Sequence, residues 1–484
     1  MKQFGDWLTE KYGTLDKAFA GWEDKEAVKG DDRAAGRVGF TALWKLFSDR
    51  RLRSQDTATF LATNMKTFYD GTYKFLKEDL GVKSAVYGSN WITASPQYLA
   101  PLDKWSNVGA DFMDRHGYFG APHTGPTSGY AISPGDQYDD RSALLFSPDK
   151  PGDPENYSLP LFDILYNNKP STITEINHTP PNRFRADQPL ANAAYGLLQG
   201  TDAFFFFASG TPGWEGTLGK FGVRTPVTAG QFPGAALLYR QGLVKPGPTV
   251  AEANLSVGDL TTLKGAPVTA PQNLDELRLK DVPGGRIAEP ERLSSIDPLA
   301  FLTGKVRMNL GVEGAGKVMD LSKLIDRNAK VAKSATGELT WDWGKGRILV
   351  NAPQAQGATG FLKGWTAATV DATFTLPLEY GAVLLVSLDG KPIATSTRML
   401  LQVMSEDQPS GWKTSAASGM RTIESVGHGP FVVKNLEGTI ALKRPDAAKL
   451  RVTALDFNGY PKGKPTLGAP IKLQADTLYY LLEK

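Results

Sequence analysis

The chain of 484 residues contains no cysteine, so disulfides, thiolate ligands and cysteine nucleophiles are all excluded. That absence is compatible with export without showing it. Charge of one sign is also lacking: 54 Lys and Arg stand against 51 Asp and Glu, and no block of roughly five or more like charges occurs. Neither nucleic acid nor an anionic membrane is recommended as a partner, and a neutral one is expected. No stretch approaches the roughly 18 apolar residues of a membrane-spanning helix, and residues 1–20 are amphipathic and charged, unlike a signal peptide. There is no GxSxG elbow for acyl transfer and no HExxH zinc spacing. What is present is core material, 41% hydrophobic and 10% aromatic residues, enough for two or three globular domains.

The segment Ser171-Thr-Ile-Thr-Glu175-Ile-Asn-His178 is a short β-rich run ending in an acid, an amide and an imidazole. Spacing predicts a helix over Ala186 to Leu198, and Thr201 to Ala208, with four consecutive phenylalanines, reads as a fully buried strand. The acid thus belongs to a βαβ unit, and barrel enzymes keep their chemistry at the C-terminal ends of such strands. Upstream, Phe4, Leu8, Tyr12, Leu15, Phe19 and Trp22 recur at helical spacing, predicting one or two short helices interrupted at Gly13. Ser54 or Asp56 is placed to cap a longer helix whose apolar stripe runs through Phe60, Leu61, Met65, Phe68, Phe75 and Leu76. Further strands are predicted at Ser84 to Asn90 and Val108 to His116, and helices at Pro96 to Trp105, Leu159 to Tyr166 and Phe232 to Gln241. Such alternation argues for a parallel sheet with crossover helices. Strands near residues 84, 108, 171 and 202 would make half of a closed eight-stranded barrel. The connection from Tyr118 to Asn156, rich in Gly, Pro, Asp and Ser, has the length of a functional loop and is expected to wall a binding cleft.

Between Val244 and Pro298 no period is sustained, so residues 246–300 are assigned to a linker or connecting layer. From Val306 onward short alternating segments carry turn signals: Gly337 to Trp343, Arg347 to Asn351, Val383 to Leu388 closed by Asp389-Gly390, Phe431 to Lys434, and Arg451 to Phe457 closed by Asn458-Gly459. The expected fold class is α/β plus all-β. Residues 1–245 would form the C-terminal half of a (β/α)8 TIM barrel, about four βα units, followed over 301–484 by one or more β-sandwich-like domains.

Four stretches together resemble the clan-A retaining glycoside hydrolases, whose fold is a (β/α)8 barrel. Phe4-Gly-Asp-Trp7-Leu-Thr-Glu-Lys-Tyr12-Gly-Thr-Leu is similar to the helical segment that in several of these families shortly follows the fourth strand. Ser89-Asn90-Trp91 is similar to the end of the fifth strand and Asp111-Phe-Met-Asp114-Arg-His116-Gly-Tyr118 to the sixth. Thr174-Glu175-Ile-Asn177 resembles the seventh, which carries the nucleophile. Ser334 to Trp343, with Ser387-Leu-Asp-Gly-Lys-Pro-Ile393, resembles β-domains appended to such enzymes. The resemblance covers roughly residues 1–245 in its barrel part. It implies Glu175 as nucleophile with Tyr118 donating a hydrogen bond to it, a poly- or oligosaccharide substrate, no cofactor, and a secreted or periplasmic location. One departure is large: the clan's acid/base glutamate follows an asparagine on strand four, and this chain has no Asn-Glu dipeptide. The comparison places strand four just upstream of Met1, as in a gene fragment, an internal start or a piece of a longer protein. Little hydrolysis is then expected, and exposed half-barrel edges favour self-association.

Retaining glycosidases use two carboxyl groups roughly 5 Å apart, and one is identifiable. The bland alternative makes Glu175 a strand-end carboxylate salt-bridged to Arg183 or Arg185. Asn90, Trp91 and Trp214 stand at predicted strand ends or just beyond, where flat rings stack on pyranoses and an amide reads hydroxyls. With them His116, Asn177 and His178 are assigned to the sugar subsite, although each histidine could equally be structural. With His123 they could be taken for a metal cluster, which the lack of tight spacing disfavours, and the acidic loop Asp136 to Asp140 could hold Ca²⁺. Trp341 and Trp343 share one strand face, either as core plugs or as a carbohydrate platform. Gly311-Val-Glu-Gly-Ala-Gly316-Lys317 nearly spells a P-loop, but Val318 stands where Ser or Thr is needed. The leading expectation is a glycoside hydrolase-like protein lacking its acid/base half; the alternative is a non-catalytic carbohydrate-binding or scaffolding protein.

Overall fold

Gly13, at φ +86°, separates the helices Lys2–Tyr12 and Leu15–Trp22 where the sequence places their break. This computed structural model describes all residues except 24–26, 92, 94, 148–159, 211, 270–295 and 418. Phe4, Leu8, Ala18 and Trp22 close on Phe60 of the long helix Leu52–Lys74. Neither Ser54 nor Asp56 caps that helix. Arg51 is its N-cap, without a side-chain bond, and Asp56 is buried one turn in, accepting hydrogen bonds from Lys11, Tyr12 and Trp22. A buried carboxylate requires such donors, and these three fix the first two helices to the third. The apolar stripe is core only at its start. Phe60 is buried, but Leu61, Met65, Phe68 and Phe75 are exposed.

Residues 84–90 form no strand. Their backbone is pinned by Lys77 and Asp111 instead of a neighbouring strand: Lys77 donates to the Ser84 carbonyl at 2.7 Å, the Val86 N–H donates to the Asp111 carboxylate at 2.8 Å, and the Asp111 N–H returns a bond to the Val86 carbonyl at 2.9 Å. Asp111 also receives Lys77 and Tyr73, each at 2.7 Å. Lys77, with Tyr73 and the Val86 amide, lowers the Asp111 carboxyl from 3.8 to about 2. A depressed folded value contributes stability above the unfolded value and loses it as pH falls through the folded one. Asp111→Asn is therefore expected to flatten the decline of the urea midpoint between about pH 4 and pH 2. An unchanged acid limb in the variant would show that Asp111 does not anchor this segment.

Three parallel strands follow, Met113–Phe119, Ser171–His178 and Ala203–Phe206, adjacent in that order. Helix Gln188–Gln199 crosses between the second and third, with Pro189 near its start and Gly200 at φ +78° ending it. The first strand starts five residues later than Val108, and the third is not fully buried, because Phe205 is 55% exposed. Phe119, Ile173 and Ile176 enter the core with Leu190 and Tyr195. The opposite face, with His116, Tyr118, Glu175 and Phe205, stays accessible, which is unusual for a parallel sheet. No closed barrel forms among the described residues.

Two other expectations change. The Leu159 to Tyr166 helix is not formed within the described residues: Ile164–Tyr166 is a strand, parallel to Lys305–Leu310, and residue 159 lies outside the described set. The sheet continues through Thr249–Leu255 to Lys317–Val318. Residues 246–300 therefore supply a strand and a short helix, Val257–Thr261, opened by a Ser256/Asp259 capping box. The P-loop look-alike leads into the strand Lys317–Val318, antiparallel to Thr249–Leu255, with Gly316 tight against the Glu252 backbone. No helix N-terminus receives it, so the geometry that cradles phosphate is missing there.

The C-terminal half is built on a ten-stranded sheet, antiparallel throughout, with Ala355–Gly360, Gly381–Ser387, Arg398–Ser405 and Tyr479–Glu483 near its centre. One face packs on a four-stranded sheet through Val383, Leu401, Phe374 and Ile440. The other packs on the α/β half through Trp341, Ile348 and Val350. Trp341 is fully buried, touches Phe162 and Tyr195, and donates Nε1–H to the Leu144 carbonyl at 3.1 Å; Trp343 is buried beside Phe146. Both are core plugs, since this sheet is covered on both faces. A long hairpin, Asp407–Ala417 and Met420–Val433, reaches back to pair with Gln137–Tyr138 and, through it, His123–Thr124 of the long connection. No helix among the described residues is long and apolar enough to cross a membrane.

Candidate functional site

The Ser171–His178 strand carries one residue more than either neighbour. Arg115 faces Ile173 and His116 faces Glu175; on the other side Ile173 and Ile176 oppose Phe204 and Phe206. Thr174 is thus the extra residue of a β-bulge. Ile173 and Ile176 both stay on the core face, fully buried, and Glu175 turns outward. Regular alternation would instead put Glu175 on the face of Ile173, an ionisable group among aliphatic side chains. Asp114 stitches the bulge in place: the Thr174 N–H and hydroxyl donate to its carboxylate at 3.2 and 2.6 Å, and the Thr172 hydroxyl at 2.6 Å.

The outward Glu175 is held by the neighbouring strand. The Tyr118 hydroxyl donates to Glu175 Oε2, and His116 Nδ1 lies 3.2 Å from the same oxygen. The Glu175 side chain keeps 28% of its surface open. Tyr118 also meets Phe207 and Phe221 edge-on, with centroids 6.4 and 5.2 Å away, and those two rings are 5.7 Å apart. Asn177 fixes this aromatic border from beneath: its Nδ2 donates to the carbonyls of Phe207 and Phe221 at 3.0 and 3.2 Å. Neither arginine of the bland alternative pairs with Glu175. Arg183 is shared among Asp140, Glu379 and Glu406, and Arg185 is buried on Asp407.

The remaining expected residues scatter. His178 falls on the core face; its ring is fully buried against Phe119, with Nδ1 3.5 Å from Asp187, so it does not line the open side of Glu175. Asn177 is also buried and acts through the backbone it holds, leaving no open amide for a sugar. Trp91 is 53% exposed, and its carbonyl accepts from Lys104, which also donates to the Asp114 carbonyl, tying Trp91 to the strand's opening residues and not to its C-terminal end. Asn90 is half-buried beside it. Trp214 is exposed in the loop that also carries Phe221. His123 lies between Asp136, at 3.0 Å, and Lys220, at 2.8 Å, while Asp140 takes Arg183 and Arg421. Asp136 is engaged by the His123 imidazole and Asp140 by two guanidinium groups, and no group of three His, Asp or Glu suited to a metal ion occurs among the described residues.

Phe207 and Phe221 were not foreseen as site residues. Period two from Ala203 places Phe205 and Phe207 on the Glu175 side, a signal hidden by the run of four phenylalanines. Phe221 comes from a loop, where periodicity says nothing. Chemically the site offers one oriented carboxylate on an open face, a phenol and an imidazole on its oxygen, and a wall of aromatic edges. Such a group can attack an electrophilic carbon, or accept hydrogen bonds from the hydroxyls of a ring held against the aromatics. Comparison of the chain with known protein families, with curated proteins and with solved structures finds no match.

Proposed function

We propose that this is a glycoside hydrolase-like protein whose Glu175 occupies the place of the nucleophile in a retaining mechanism. The observation that carries the reading is the coincidence, on one open face, of Glu175, the Tyr118 hydrogen bond on its Oε2 and the Phe207 and Phe221 rings. A bulge that turns a carboxylate out of an apolar strand has a cost, and function is the usual reason for it. The parallel order of the three strands supports descent from a (β/α)8 barrel, of which they would be the last three. A retaining reaction also needs an acid to protonate the departing oxygen. Among the described residues the other acid of these strands on this face, Asp114, is committed to Thr172 and Thr174, so the chain is expected to act on a poly- or oligosaccharide feebly unless another polypeptide segment covers the face.

A 2-deoxy-2-fluoroglycosyl fluoride tests this directly, because fluoride needs no protonation to leave. A Glu175 carboxylate oxygen attacks the anomeric carbon, the C–F bond breaks, and fluoride departs with the electron pair. The fluorine at C2 slows hydrolysis of the resulting ester, so the adduct accumulates. Intact mass and peptide mapping are expected to place one glycosyl group on Glu175 for at least one of the gluco, galacto, manno and xylo reagents. Failure of all four, with the protein folded, would overturn the nucleophile assignment. The non-catalytic alternative predicts glycan binding without labelling.

A further inference from the structure

We propose that the cleft between the Asp407–Val433 hairpin and the loop beyond the Glu175 strand is a second saccharide site, taking uncharged sugar units of a chain whose neighbouring units lie over Glu175. It rests on the carbohydrate reading above. The cleft encloses about 680 Å³, within the roughly 300–1000 Å³ of small-ligand pockets. Its walls are Pro181, just past the Glu175 strand, Leu218, Tyr138 and the hairpin. Half-buried Trp412 meets the buried Tyr138 ring edge-on at 6.1 Å, which leaves a flat apolar surface in a mainly polar cleft.

The charges in the cleft largely cancel. Arg183 bonds both oxygens of Glu406 at 2.9 Å, Arg185 is paired with Asp407, and Arg421 with Asp140. What remains is the amines of Lys413 and Lys434 and the carboxylate of Glu424, for which no hydrogen-bond or ion-pair partner occurs among the described residues. Free donors beside a free acceptor, at small net charge, suit hydroxyl groups, each of which both donates and accepts. A polyanion would meet Glu424 and gain little. The ring and the polar groups together match one face and the rim of a pyranose.

One loop has residues at both the cleft and the border of the Glu175 face. Leu218 lines the cleft, Phe221 touches Tyr118, and the Gly216 carbonyl accepts the N–H of Gly429 at 2.7 Å, tying the hairpin to the loop between the two places. A glycan passing along that loop meets both.

Calorimetric titration of the full chain with cellohexaose, xylohexaose, mannohexaose and agarohexaose, and with hexagalacturonate as the charged counterpart, tests the proposal. At least one neutral hexasaccharide is expected to bind, with Trp412→Ala raising its Kd about tenfold or more and Glu424→Gln on the exposed rim raising it by a smaller factor. Circular dichroism of both variants checks that they fold. Trp412→Phe, which keeps a ring, is expected to restore most of the affinity. Binding that survives Trp412→Ala and Glu424→Gln but is lost in Phe207→Ala would overturn this site and leave the Glu175 reading intact. Binding of hexagalacturonate alone would overturn the proposal, and binding of none of the five would remove the carbohydrate reading together with it.

Discussion

Glu175→Gln is expected to abolish covalent capture of the fluoroglycosyl fluoride, a loss on the order of 10⁴-fold or more in rate, the scale on which removal of a nucleophile is felt. The amide is nearly isosteric and its oxygen can still accept from the Tyr118 hydroxyl, so packing around the bulge should be unaffected. What disappears is the anionic oxygen. Tyr118→Phe leaves the carboxylate in place but removes a donor that fixes it. With a charge-assisted bond worth about 1.5–3 kcal/mol, capture should slow by roughly one to two orders of magnitude. The leaving group supplies an independent axis. General-acid assistance is worth about 10²–10⁴-fold, so the fluoride should react while an unactivated disaccharide is hydrolysed little. Equal turnover of both would mean that an acid reaches the site after all. A variant series in which Glu175→Gln still acquires the label, at the same peptide, would sink the assignment of Glu175 outright.

Which parts of this arrangement were legible depended on what fixes each residue. The crossover helix Gln188–Gln199 was visible because apolar spacing, a proline near its start and a glycine after its end all agree. The hydrogen bond from Tyr118 to Glu175 followed from family resemblance, and the geometry has it. The bulge was not foreseen, yet its trace is in the sequence. Ile173 and Ile176 are three apart, a spacing that leaves both on one face of a strand only if one residue is looped out. Counting in twos also explains the error on His178, which follows Ile176 onto the core face. The strand expected at 84–90 failed for a different reason. Its apolar pattern was adequate, but the backbone groups of Val86 are taken by Asp111, a long-range choice that no local window records. The helix Leu52–Lys74 has the spacing of a core element throughout, and only its first turns find a core. Periodicity reports which face could be buried, not whether anything lies against it.

The joint between the two halves carries the second large effect. Asp407, the first residue of the hairpin, is fully buried with Arg185: one oxygen takes the guanidinium, and the other accepts the Val227 N–H at 2.9 Å. Among the described residues, Arg185 is otherwise held through Nε on the Asn182 carbonyl at 2.8 Å. Asp407→Ala therefore strands a buried cation and an amide at once, and the expected loss is about 3–5 kcal/mol, read as the urea midpoint. The pair that Arg183 makes with Glu379 should be worth far less. The Arg183 side chain is 28% exposed and that of Glu379 54%, so Glu379→Gln is expected to cost under about 1 kcal/mol. The decisive comparison is the double variant Arg185→Met with Asp407→Leu. If the penalty comes from an unpaired buried charge, replacing both partners by apolar groups removes the charge with its counterion, and most of the stability should return. If the double variant is as unstable as Asp407→Ala, the pair's charge is not what matters, and the loss belongs to the Val227 amide and the hairpin's first turn. The same pair lines the cleft beside Trp412. Glycan affinity measured on the refolded double variant thus separates a purely structural joint, which should leave binding unchanged, from one that also presents polar groups to a ligand.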